Sequence, residues 1–268
     1  MALIDTHSAP CKALQTPERN NYFFGKLLDV FHFQLETAYH NGMRHLHHRL
    51  VSGYGVVCGL DVQCGPDGRH VVVTPGLAID KCGREIIVPE KTAPIPIPDH
   101  LLPVTDEAAP SPEHVDPRCQ DDDKDEPIVH VLLCYHECKS DPAPVLGGDC
   151  GTVEECAPGT IRERYRIVVK DGPAPPIRLY CRIPDLFYHG KLDYEALAKH
   201  VSEGCSKPAA DPCIPLANVR LSRHHPGHGC KPERIDISVR PIVYTNDLLL
   251  EIILSLLEEE RDDHRHAK

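Results

Sequence analysis

The stretch Gly53-Tyr-Gly-Val-Val-Cys-Gly-Leu-Asp-Val62 decides how the fold is read. Its valines favour an extended, half-buried backbone, and the glycines at 53, 55 and 59 permit tight bends and close backbone approach. Forward of it, similar short runs occupy residues 69–74, 77–80 and 84–88, separated by Pro66-Asp67-Gly68 and Lys81-Cys82-Gly83. Strand-length runs with turn chemistry between them read as a compact β-meander. Backward of it, Leu35, Tyr39, Met43, Leu46 and Leu50 recur three or four residues apart. That is the period of one helical face, so a helix is expected over residues 29–50, with Ser52-Gly53 as its stop. A helix feeding glycine-punctuated antiparallel strands predicts an α+β fold.

The rest of the chain divides by composition. Prolines and the run Asp121-Asp122-Asp123 dominate residues 99–127, a surface excursion that supplies few ladder donors and little apolar surface. A second β section begins at Ile128-Val-His-Val-Leu-Leu-Cys134 and resumes over 161–169, with further strand candidates at 214–221 and 235–239 and helical spacing over 191–201. Thr245-Asn246-Asp247 offers capping oxygens to the amphipathic run from Leu248 to Leu257, after which the chain turns highly charged. Leu249, Ile252, Ile253, Leu256 and Leu257, with Leu248, Leu250 and Leu254 beside them, form an apolar face wider than one core-facing stripe requires, and are the expected partner-binding residues. The organisation expected is an N-terminal arm (1–28), a helix with the first β section (29–98), the excursion (99–127), a Cys-rich second β section (128–244) and a C-terminal helix with a charged tail (245–268).

Charge excludes some functions. Against 29 Lys and Arg stand 40 Asp and Glu, a net of −11, and Trp is absent. Such a chain has neither the cationic field nor the stacking platforms of a nucleic-acid binder. No apolar run approaches the ~18 residues that span a bilayer, and the start lacks a signal-peptide pattern. Synthesis in the cytoplasm without membrane insertion is the expectation, with release in a particle by lysis left open. In a reducing cytosol the thirteen cysteines are expected as thiols or metal ligands.

Two groups could hold metal. Cys134 and Cys138, followed by Cys150 and Cys156, have spacings that permit a structural zinc site pinning the loop 139–160, or two disulfides if the chain matures outside the cytosol. His225, His228 and Cys230, with His224 nearby, form a second candidate around the Pro226-Gly227 turn, beside the simpler reading of a solvated polar loop. Cys58 is expected as a small core residue, whereas Cys64 and Cys82 flank turns and could pair. The helix histidines lack the spacing of a metalloprotease, and no nucleophile elbow, P-loop or dinucleotide turn is present. No catalytic residues and no organic cofactor are expected.

The run Asn21-Tyr-Phe-Phe-Gly-Lys-Leu-Leu28, the pattern Phe33, Glu36, Tyr39, the stretch from Leu50 to Val62, and Pro75-Gly-Leu-Ala-Ile-Asp80 with Gly83-Arg-Glu-Ile86 resemble bacterial phage-tail-like proteins. Ile161-Arg-Glu-Arg-Tyr165 and residues 240–249 resemble the same set. The resemblance implies a tail-fibre or baseplate-type module and a non-enzymatic structural subunit of a contractile injection particle, bound to other protein subunits as a homo- or hetero-oligomer. A self-assembling Cys-rich filament or surface subunit, and a zinc-dependent hydrolase built on the His-rich loop, stand as alternatives.

Overall fold

The computed structural model describes residues 11, 13–102, 127–144, 156–177, 183, 186–188, 191–205, 209–221 and 230–266; for 188, 230–234 and 259–266 it describes the backbone alone. The expected first helix is present as α1 (Val30–His47). Asp29 caps it, its carboxylate accepting from the His32 backbone N–H at 3.2 Å. One wide turn, His48–Ser52, continues the helix, and Gly53 at φ 82° ends it.

The strands that follow are β1 (Gly55–Gly59), β2 (Val62–Cys64), β3 (His70–Val73), β4 (Gly76–Ile79), β5 (Glu85–Val88) and β6 (Ile95–Pro96). They do not form the expected meander. They divide into two antiparallel sheets, ordered β1-β4-β5 and β2-β3-β6, so the chain crosses between sheets after β1, β3 and β5. The first crossing is built at Gly59 and Leu60, both left-handed with φ of 64° and 58°. At Gly59 a Cβ would lie 2.1 Å from the carbonyl oxygen of Pro75, so only glycine fits. Leu60, fully buried, offsets its strained backbone by filling the core.

The second section holds β7 (Ile128–Pro144), β8 (Cys156–Asp171), the short pair β9 (Phe187–Tyr188) and β10 (Lys191–Leu192), α2 (Tyr194–Ser202), β11 (Ile214–Leu221) and β12 (Cys230–Asp236). Its main sheet is ordered β12-β11-β7-β8, antiparallel throughout. The chain then forms α3 (Asn246–His266).

Both sections contribute to one core. Leu60, Val71, Val73, Ile86 and Val88 from the first pack in the same cluster as Val129, Val131, Leu133, Ile214, Leu216, Val219 and Leu221 from the second. Backbone bonds add to the join: the Val56 N–H donates to Pro241 at 2.8 Å, and the Val243 N–H donates to Val56 at 3.0 Å. Three sequence expectations are corrected here. Residues 139–144 and 156–160 extend the β7–β8 ladder rather than forming a loop, β12 ends at Asp236, and Cys58 is exposed instead of buried.

Candidate docking surfaces

Asp80 shows how the motif Asp80-x-x-Gly83-Arg84 organises the region around α1. Its buried carboxylate accepts from the backbone N–H groups of Cys82 and Arg84 at 2.8 and 2.9 Å, and from the Arg84 Nε at 2.7 Å. This fixes the turn between β4 and β5 so that Gly83 presses on the helix, where an added Cβ would stand 1.9 Å from the His45 carbonyl. Two side-chain contacts fasten the same seam: His48 Nδ1 to the Gly83 carbonyl at 3.1 Å, and Arg44 to Glu85 at 3.0 Å. Burial pushes the His45 imidazole below its ordinary pKa, with Arg44 adding to the effect and Glu85 opposing it.

The apolar stripe of α1 is only half covered. Leu35, Tyr39, Met43 and Leu46 line a cavity of about 680 Å³ whose other walls are residues 13–18, Arg49, Arg84 and Glu137. A disulfide between Cys11 and Cys82 straps that N-terminal lead-in to the β4–β5 turn. No residue of α1 is buried. Immediately before and within the helix, Phe23, Phe24, Leu27, Phe31 and Phe33 are all exposed, Phe24 completely.

α3 presents a second apolar surface. Leu249, Leu250, Ile252, Ile253, Leu254, Leu256 and Leu257 are between 39 and 57% exposed. At about 100° per residue, Glu251, Ser255 and Glu258 fall within roughly 60° of one another, and apolar side chains occupy most of the remaining circumference. The residues expected to bind a partner are therefore uncovered on more than one side. No helix among the described residues is long and apolar enough to cross a membrane.

The first expected zinc group is spread out by the β ladder. Cys134 of β7 forms a disulfide with Cys213, the residue just before β11, while Cys138 stands opposite Arg162 and Cys156 opposite Pro144. Six rungs separate Cys138 from the Cys156 level, about 20 Å at ~3.3 Å per residue, far beyond a shared ion at ~2.3 Å from each sulfur. Cys150, His224, His225 and His228 lie outside the described residues, as does the side chain of Cys230. Among the described residues no cluster of three or more His, Cys, Asp or Glu could hold a metal ion. The expectation of thiols is corrected at Cys11, Cys82, Cys134 and Cys213, and Cys64 is also disulfide-bonded, so Cys64 and Cys82 do not pair. Sequence spacing could not have found the Cys134–Cys213 pair, whose members lie 79 residues apart.

No family model and no curated protein matches the chain. Among solved structures, the crystal structure of TssK is similar over 82% of this chain and 41% of that one, at 12% identity and a TM-score of 0.39. The chain thus spans less than half of that protein, and a likeness this distant carries no function across.

Proposed function

We propose that this chain is a non-enzymatic structural subunit of a contractile, phage-tail-like particle, held there by protein–protein contacts. The carrying observation is the exposed, nearly all-round apolar surface of α3; the motif resemblance in residues 21–86 supplies the kind of assembly. Finishing the burial of seven half-exposed Leu and Ile side chains stabilises a complex by roughly 5–10 kcal/mol, taking half of ~1.5–3 kcal/mol for each. Association costs about 4–15 kcal/mol. One helix face alone is therefore marginal, which favours a multi-subunit setting in which the aromatic strip around Phe23 and Phe31 is covered as well.

The test is electron microscopy and composition analysis of particles purified from cells carrying a tagged copy. Tag density at a fixed place on the particle, together with the protein in the particle fraction, is the expected result. Recovery of the tagged chain only as a free species rejects the proposal.

A further inference from the structure

β8 is an edge strand of 16 residues, and its outer side pairs with no strand among the described residues. Its inner partner is also unsupported beyond the core. β11 pairs with β7 only from Ile128 to Leu133, so His136 to Pro144 and Cys156 to Arg164 form a two-stranded ribbon with no third strand among the described residues. Such a ribbon is marginal in water without a third strand or a cover.

The ribbon's faces differ in charge. Directly paired residues share a face, and the register sets Arg166 opposite Cys134, Arg164 opposite His136, and Arg162 opposite Cys138. Arg162, Arg164 and Arg166 therefore stand on one face about 6.7 Å apart, two residues of strand rise. All three are exposed. Arg162 is held by both carboxylate oxygens of Asp141 at 3.0 and 3.1 Å, whereas Arg164 and Arg166 have no ion-pair partner among the described residues. The opposite face carries Glu137 opposite Glu163, with Lys139 two rungs further along the ladder and the Tyr135 hydroxyl donating to Glu137 at 2.8 Å. On a chain of net charge −11, this arginine row is a local reversal of sign.

We propose that the open edge of β8 accepts an extended acidic segment of another protein, added as a further strand, with acidic residues at alternate positions facing Arg162, Arg164 and Arg166. Main-chain hydrogen bonds supply the attachment and the arginine row sets register and face, because a slip of one residue moves the acids to the side of Glu137 and Glu163. The competing account is that the arginines only guard the edge against aggregation. The contact is independent of α3 and of the assembly proposed above, since it uses neither.

The experiment measures binding of a fluorescent synthetic peptide, Thr-Glu-Val-Glu-Val-Glu-Thr, to the full chain by anisotropy. Saturable binding is expected, weakening at least tenfold in the variant R164E/R166E and in 1 M salt, where the Debye length is about 3 Å. A peptide of equal charge with proline replacing each valine should bind at least tenfold more weakly, because two missing N–H groups and two fixed φ angles disrupt a regular added strand. Hydrogen exchange should show new protection in β8 on binding. No binding by the parent, equal binding by R164E/R166E, or equal binding by the proline peptide each overturns the proposal. So does displacement of the peptide by a short DNA duplex at equal concentration, which would make the row a polyanion site. The unliganded variant's circular dichroism melt guards against misfolding, and the conservative variant R164K/R166K should retain binding within a few-fold.

Discussion

The carboxylate of Asp80, fully buried, holds the guanidinium of Arg84 at 2.7 Å, and that guanidinium lies over the ring of Tyr135, its carbon 4.5 Å from the centroid. One ion pair thus links the β4–β5 turn, which seats α1, to β7 in the second sheet. Its burial also makes it sensitive to one-sided changes.

Removing either partner of a buried pair leaves the other charge uncompensated, at a cost of about 3–5 kcal/mol. Arg84→Met is therefore expected to destabilise the chain by that amount, measured by urea unfolding with the Asp80 carboxylate left in place. The double variant D80N/R84M should recover at least half of the loss. A single-variant loss below about 1 kcal/mol would mean that the pair is solvated.

The disulfide between Cys134 and Cys213 ties two central strands across 79 residues of chain, with a Cα separation of 4.5 Å. Disulfides typically stabilise by about 2–4 kcal/mol, chiefly by restricting the unfolded chain. Cys213→Ala should lose that amount under oxidising conditions and much less when parent and variant are both reduced. Thiol titration of the denatured, unreduced parent supplies the complementary reading: Cys134 and Cys213 should both resist alkylation.

Much of this fold was legible in the sequence because local chemistry decided it. The apolar period of α1, Gly53 as its stop and the turns around Gly68 and Gly83 act within a few residues, so α1 and most of β1 to β5 lie near the ends the sequence suggests. Sheet membership was not legible, because β1 pairs with β4, some twenty residues on, and nothing in β1 itself selects that partner over the nearer β2. The ribbon was missed for a related reason. Asp141-Pro-Ala-Pro144 and Gly159 have turn composition, yet Pro142, Ala143 and Pro144 pair with Pro158, Ala157 and Cys156 at the ribbon's unsupported end, where proline costs no central ladder bond. The apolar width of α3 was legible from helical period alone, whereas the arginine row needed the β7–β8 register to place it on one face.

Stability is expected to depend on pH through His45, in the seam between α1 and the β4–β5 turn. Its folded pKa lies below the ordinary value of 6.5, mainly through burial, so between the two values the unfolded chain binds more protons than the folded one. The stability tied to the neutral imidazole is fully present above about pH 6.5 and is lost as the pH falls towards the folded pKa. Thermal melts at pH 8, 7, 6 and 5 should therefore decline more steeply in the parent than in His45→Gln. Identical slopes would show that the ring is as well solvated in the folded chain as in the unfolded one.

The last prediction concerns α3 and the folding unit it leaves behind. From Leu249 to Leu257 every described apolar residue is exposed, and no side chain of the shared core comes from α3. Truncation after Asn246 should accordingly leave a soluble chain whose cooperative melting midpoint lies within a few degrees of the parent, since about 1 kcal/mol shifts the midpoint of a domain this size by ~2–4 °C. Self-association or particle incorporation through the helix should disappear in the same variant. Solubility should improve, because seven exposed Leu and Ile side chains are removed with it. A truncated chain that aggregates or melts without cooperativity would place α3 inside the folding core and withdraw it as a docking surface. Two point variants separate the remaining cases: L249S/I253S and L250S/L254S change different arcs of the helix, so loss of association in one alone identifies a single partner face, whereas loss in both requires neighbours on two sides.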